Sequence, residues 1–148
     1  MYKRQELGYV GKPKRVDAKL LKEIIKEDYI PVIVPMGLDE KGIAYNINAD
    51  TAAGAVARSI KSRRLMLLTD IDGVLDNNEK LISEINTAEA KELVNNETIH
   101  GGMIPKVKTC IDAINNGVRA VVILDGRKPH SILFELFSDK GSGTLIRK

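Results

Sequence analysis

The chain has 148 residues, of which 43% are hydrophobic and 29% charged, with a formal net charge of +3. This fits one folded domain with a proper core, and no apolar run approaches the length of a membrane span. The basic residues are dispersed, and the densest cluster, at 61–64, has no interleaved aromatic for base stacking, so neither nucleic acid nor membrane is an expected partner. A single cysteine, Cys110, excludes an internal disulfide and leaves no zinc pattern; with no signal-peptide core at the start, a cytoplasmic setting is expected.

Asp17 is the expected N-cap of a helix over "AKLLKEIIKED", where Leu20, Leu21, Ile24 and Ile25 form one apolar stripe. The run "YIPVIVP" is short and apolar throughout, the pattern of a strand covered on both faces. "DEKG" then turns the chain into a brief strand over 43–47, and a helix is expected over 49–60. "RLMLLTD" reads as a second fully buried strand and "TAEAKELVNN" as a short helix. A longer helix follows "GG", with Ile104, Val107, Ile111 and Ile114 on its buried face and its end at Asn116-Gly117. Cys110 lies on or beside that face and is expected to be a buried, inert thiol. "VRAVVIL" is a third buried strand, "PHSILFELF" a helix opened by Pro129, and "GTLIRK" a closing strand. Strands alternating with helices predict an α/β fold, a mainly parallel sheet covered on both sides.

In such sheets ligands gather at the carboxyl ends of strands. The stretches found there, "NINAD", "TDIDG" and "DGRKPH", are all polar, although Asp-Gly is also ordinary turn chemistry. In "IHGGMIPKV", Pro105 fits only the first turn of a helix, so the helix starts near Gly102 or Met103. Lys106 then sits in a first turn that disfavours a cation and points away from Ile104 and Val107. It is either a solvated lysine or one that faces an anion. No G-x-x-x-x-G-K-[ST] motif exists, which excludes a P-loop protein. In "LLTDIDGVLD", Thr69, Asp70 and Asp72 follow a buried strand, where they form a solvated turn, accept ribose hydroxyls or approach a metal. In "NINAD", helix capping accounts for Asn48 and Asp50 but not for Asn46, which alternation sets on the side of Asn48.

Four long stretches, "YNINADTAAGAVA", "LMLLTDIDGVLD", "GGMIPKVKTCIDAINNGV" and "ILDGRKPHSILFELFSDKGSGTLI", occur in an order that resembles the N-acetylglutamate kinases of the amino-acid kinase family. The resemblance runs from about Leu7 to the C-terminus. It implies a three-layer α/β/α sandwich and transfer of a phosphoryl group from ATP, with Mg²⁺, to the side-chain carboxylate of N-acetyl-L-glutamate, in arginine biosynthesis. By position, Asn46 and Asn48 resemble the substrate-binding residues. Asp50 resembles the carboxylate that orients the catalytic lysines, and Lys106 the lysine that stabilises the moving phosphoryl group. Asp70, Ile71, Asp72, Gly73, Val74 and Leu75 resemble one nucleotide-binding stretch and Thr98, Ile99 and His100 another. No protein metal ligand is implied, since Mg²⁺ arrives with the ATP phosphates.

The resemblance also implies a homo-oligomer in the full-length protein, and arginine as an effector at Glu135 and Gly141, where the alternative for Glu135 is a solvated helix residue. Family members carry an N-terminal lobe with a Gly-rich phosphate-binding segment and a second lysine, neither matched here. Residues 1–6 are therefore expected to be an unmatched leader, and 7–148 the ATP-binding part of a kinase domain truncated at its N-terminus and weakly active or inactive alone. Two other readings stay open: a kinase for a related substrate such as an acetylated aminoadipate, and a non-catalytic nucleotide-binding module.

Overall fold

The structure is a computed structural model and describes residues 8–148. The leader expected over 1–6 lies outside the described residues. The first part of the chain forms β1 (Val10–Gly11), α1 (Lys19–Lys26), β2 (Met36–Leu38) and β3 (Ala44–Ile47), whose strands make a sheet in the order β1-β3-β2. The remainder forms α2 (Ala49–Ile60), β4 (Arg64–Thr69), β5 (Glu84–Asn86), α3 (Thr87–Asn95), α4 (Met103–Asn115), β6 (Ala120–Asp125), α5 (Ser131–Phe137) and β7 (Gly143–Arg147). Its sheet runs β4-β6-β7-β5. The β1–β3, β4–β6 and β5–β7 pairs are parallel, and β2–β3 and β6–β7 antiparallel, so the α/β class holds with mixed sheets.

The core lies between the larger sheet and helices α2, α3 and α4. Val107, Cys110, Ile111 and Ile114 come from one face of α4, as its spacing predicts, and meet Leu67, Val121, Ile123 and Ile146 from the strands. Three helix boundaries have a local cause. Asn48 caps α2 with its side chain, and Asn86 and Glu89 form a reciprocal capping box on α3. Helix α4 stops at Asn116, after which Gly117 takes a φ of +105°.

Several expectations need correction. The run 29–35 is no buried strand: it forms no ladder, and Tyr29, Ile30, Val32, Ile33 and Val34 are exposed. No neighbouring layer covers it among the described residues, so its composition finds no partner surface. The stripe of α1 is only partly covered, with Leu20 and Ile25 exposed and Leu21 and Ile24 half-buried. That helix is flanked by Ala18 rather than Asp17, although the Asp17 carboxylate still accepts the Lys19 N–H at 2.9 Å. Strand β4 is not fully buried, because Leu68, on the face turned away from α2–α4, remains exposed. Pro129 does not open α5: His130 takes φ +59°, a left-handed conformation that the helix cannot include, and α5 starts at Ser131. Strands β1, β2 and β5 carry no strong periodicity and were not legible. Among the described residues no helix is long and apolar enough to cross a membrane.

Candidate functional site

The Asn48 side chain accepts the Thr51 N–H at 3.1 Å and the Thr51 hydroxyl at 3.2 Å, which fixes the start of α2. Asp50 follows in the first turn, where a carboxylate suits the positive end of the helix. Lys106, in the first turn of α4, donates from Nζ to Asp50 Oδ2 at 2.7 Å, the two side chains being 22% and 23% exposed. The helices approach this closely because Gly54 has no side chain; a Cβ there would stand 2.8 Å from Thr109 Cγ2. The anion that the position of Lys106 calls for is thus supplied by the chain itself. One turn along α4, burial pushes the Cys110 thiol up to about 12, with the Asp50 charge adding to the shift. The cysteine is inert, as its place on the apolar face predicts.

A cleft of about 390 Å³ opens beside Lys106. Thr69, Asp70, Ile71, Gly73, Val74 and Leu75 line one side at the carboxyl end of β4; Thr98, Ile99 and His100, with Gly101, Gly102 and Met103, line the other. The side chains of Val74 and Ile99 are in the core, so these two offer the cleft chiefly backbone. No side chain caps the start of α4; its Met103 N–H donates to the His100 carbonyl at 3.3 Å, its Ile104 N–H to the Gly101 carbonyl at 3.4 Å, and Pro105 has no N–H. The loop after β4 is held by Thr144, a fully buried hydroxyl that accepts the Val74 N–H at 2.8 Å and donates to the Ile82 carbonyl at 2.6 Å. A Cβ on Gly73, whose φ is +151°, would stand 2.6 Å from that hydroxyl. Thr144 went unnoticed in the sequence; its signal is a lone hydroxyl in an apolar strand, which once buried must find partners.

The family model described as "Amino acid kinase family" matches residues 2–125. The chain belongs to the amino acid kinase family. It is 58% identical over 144 residues to the acetylglutamate kinase of Pelagibacter ubique (strain HTCC1062), covering 97% of this chain and 50% of that protein. Among solved structures it is similar to N-acetylglutamate synthase from Neisseria gonorrhoeae complexed with coenzyme A and L-arginine, with a TM-score of 0.90, 28% identity, and coverage of 100% of this chain and 34% of that one. Carbamate kinase from Giardia lamblia bound to AMP-PNP shares the fold, with a TM-score of 0.70, 21% identity, and coverage of 94% and 47%. The chain spans about half the length of the curated relatives it matches.

Within this amino acid kinase fold, the candidate residues separate into groups. Asn46, on β3, is exposed and lies on the sheet face shared with Met36 and Val10, its Cα partners. Asp72 does not line the cleft: its carboxylate pairs with Lys128 Nζ at 2.8 Å, tying the loop after β4 to the loop after β6. A second tie was missed in the sequence. The buried carboxylate of Asp125 accepts Arg127 Nε at 3.0 Å and Nη2 at 2.9 Å, and the Arg127 side chain holds its pKa down to about 2.

Glu135 and Gly141 are adjacent, as a shared site requires. Gly141 takes φ +65°, and a Cβ on it would stand 2.7 Å from Glu135 Oε2. Glu135 is no solvated helix residue: it is 8% exposed, accepts the Ser142 N–H at 3.0 Å and pairs with Arg64 Nη1 at 3.3 Å. The reason is fold-level, since the turn into β7 brings the chain back over the α5 carboxylate.

Proposed function

We propose that this chain is the nucleotide-binding portion of an acetylglutamate kinase, which phosphorylates the side-chain carboxylate of N-acetyl-L-glutamate with ATP. The observation that carries the reading is the Lys106–Asp50 pair, 2.7 Å apart at the edge of the cleft lined by the loop after β4 and the start of α4. The identity to the Pelagibacter kinase supports the choice of substrate.

A substrate carboxylate is already ionised at neutral pH, so no general base is required. One of its oxygens attacks the terminal phosphorus as the bond to the departing ADP oxygen breaks. The remaining work is positioning and charge neutralisation. Lys106 supplies positive charge to the phosphoryl oxygens, and Asp50 holds the ammonium in place without neutralising it in a dry core. Asn46 and Asn48 present amides to the acyl amino acid. Asp70, Ile71, Gly73, Val74 and Leu75 run along the nucleotide, with Thr98, Ile99 and His100 opposite, while Asp72 holds Lys128 and so braces the loop from outside the cleft. Mg²⁺ comes with the nucleotide as part of the substrate; among the described residues no group of three or more His, Cys, Asp or Glu could hold an ion unaided.

Arginine acts as effector in this reading by exchanging its guanidinium for that of Arg64 on Glu135, next to Gly141, in a homo-oligomeric full-length protein in the cytoplasm. A second reading, a non-catalytic nucleotide-binding module, is supported by the same cleft.

Calorimetry with an ATP analogue on the chain, followed by turnover assays on the chain joined to the part of the Pelagibacter kinase outside the match, tests both. Binding by the chain, loss of binding in Asp70→Ala, and phosphorylation of N-acetylglutamate only by the joined protein are expected. A folded joined protein that binds the nucleotide yet phosphorylates only the acetylated aminoadipate, or nothing, overturns the substrate reading. Absence of nucleotide binding overturns both readings.

A further inference from the structure

The chain does not run straight from β4 to β5 but makes an excursion over 74–82. Leu75 and Leu81 pair across it, the Ile82 N–H donates to the Val74 carbonyl at 2.9 Å, and the Asp76 N–H to the Lys80 carbonyl at 2.9 Å. The Asp76 carboxylate closes the tip by accepting the Asn78 and Lys80 N–H groups at 2.8 and 2.9 Å. At the base of the two legs the Thr144 side chain reaches in from β7. Its hydroxyl accepts the Val74 N–H and donates its one proton to the Ile82 carbonyl, so a single oxygen bridges both legs. The approach is close: a Cβ on Gly73 would also stand 2.8 Å from Leu81 Cδ1 and 3.1 Å from the Thr144 nitrogen.

Thr144 is itself held from behind. It pairs with Ile123 of β6, and the preceding Gly143 lies so near β6 that a Cβ on it would meet the Ile123 carbonyl. Ser142 donates from its N–H to the Glu135 carboxylate at 3.0 Å and from its hydroxyl to the Ser131 carbonyl at 2.8 Å. The Thr144 hydroxyl is thus a fixed point from which the excursion hangs. It lines no part of the cleft, whereas Gly73, Val74 and Leu75 do. Gly73 has no side chain and that of Val74 is in the core, so this side of the cleft is largely a backbone path that must be fixed from elsewhere.

We propose that Thr144 is a positioning residue for the nucleotide: its hydroxyl holds the backbone of Gly73, Val74 and Leu75 in the course to which the nucleotide binds, without touching the nucleotide. The proposal rests on the nucleotide-binding reading of the cleft. Threonine suits the task where valine, of nearly the same shape, does not. Without the hydroxyl, the Val74 N–H and the Ile82 carbonyl are left buried and unpaired, and they regain partners only if the legs part and water enters. The loop then visits several courses, and the apparent affinity falls with the fraction of time spent in the one that binds.

The test compares Thr144→Val with Thr144→Ser in the full chain, by amide hydrogen exchange and by calorimetry with an ATP analogue. In Thr144→Val the Val74 amide should exchange about tenfold faster and the analogue should bind about tenfold more weakly, while the amides at 121–124 exchange as before. Thr144→Ser keeps the hydroxyl and should bind within about twofold of the wild type. A merely structural role would lower the melting temperature and leave the affinity of the folded chain where it was. Undiminished affinity in Thr144→Val therefore overturns the proposal. So does equal weakening in Thr144→Ser, since shape rather than the hydroxyl then matters, and so does equal quickening at 121–124, since the whole sheet then loosens. Should Thr144→Val not fold, Thr144→Cys carries the same comparison, because its thiol fills the space as a weak donor and acceptor. A wild-type chain that protects the Val74 amide but binds no analogue defeats the nucleotide reading and the proposal with it. A wild-type chain that binds, with Thr144→Val binding as tightly, defeats the proposal alone.

Discussion

The two sheets are made of similar residues in opposite surroundings. In β6, Val121, Val122, Ile123 and Leu124 are wholly buried. In the ribbon that enters β2, Ile30, Val32 and Val34 are exposed, although their side chains are of the same kind. The larger sheet has helices α2, α3 and α4 on one face, and α4 brings its own apolar row to meet it. The smaller sheet buries its inner side through Ile47 and leaves the outer side open. Burial is therefore set by whether a second layer exists, not by residue type. A run such as "YIPVIVP" records the surroundings for which it is suited, and the described part of the chain provides only some of them.

Paired substitutions break or sharpen this contrast most strongly. Ile123→Ala should cost about 2–5 kcal/mol in denaturant unfolding, the range for truncating a fully buried aliphatic side chain. Val32→Ala should stay within about 0.5 kcal/mol, as for an ordinary surface position. If Val32→Ala cost as much as Ile123→Ala, the smaller sheet would already be covered in solution, and the contrast would fail.

The site lies where the two sheets are linked, since α2 leaves β3 with Asn48 and Asp50 and leads to β4. Lys106→Ala should lower turnover of the joined protein by about 10²–10³, the usual loss for one preorganised charge on the reacting group. Stability should change by less than about 1 kcal/mol, because the Lys106–Asp50 pair is partly solvated and screened. A large loss of stability with turnover intact would make the pair a structural contact between α2 and α4, removing it from the chemistry. A smaller effect comes from the cap of α3, which lies entirely within the larger sheet's region. Asn86→Ala removes the oxygen that accepts the Ala88 and Glu89 N–H groups and should cost about 1 kcal/mol, read from the shift in unfolding midpoint.

Much of this architecture was legible because some signals are local. The cap at Asn48, the alanine-rich helix over 49–60 and the glycine pair before α4 specify their own boundaries, and the structure keeps them. Lys106 was readable as a lysine in an unfavourable place, and its partner is Asp50. Signals that depend on distant chain were not readable in the same way. The surroundings of Glu135 come from Arg64 and Ser142, one of them far away in sequence, so solvent exposure was a fair alternative from local pattern alone. The run 29–35 was read correctly as apolar on both faces but wrongly as covered. No local pattern states whether the covering layer is present. Thr144 and Asp125 were missed for a related reason: each is a single polar residue whose meaning appears only once it is buried.

Asp125 offers the finest test of the contrast, because it concerns charge rather than packing. Its carboxylate is buried at the end of β6, and the Arg127 guanidinium and N–H hold its pKa down to about 2 from an ordinary 3.8. A group whose pKa is lower in the folded state binds fewer protons there than when unfolded. Its stabilising contribution is therefore complete above about pH 4 and is lost as the pH falls through that range towards 2. Asp125→Asn should flatten this part of the acid limb of the stability curve, measured by thermal melts at closely spaced pH values. An acid limb left unchanged by Asp125→Asn would mean that the Asp125–Arg127 pair carries no proton-linked stability, and that the covered sheet owes its strength to packing alone.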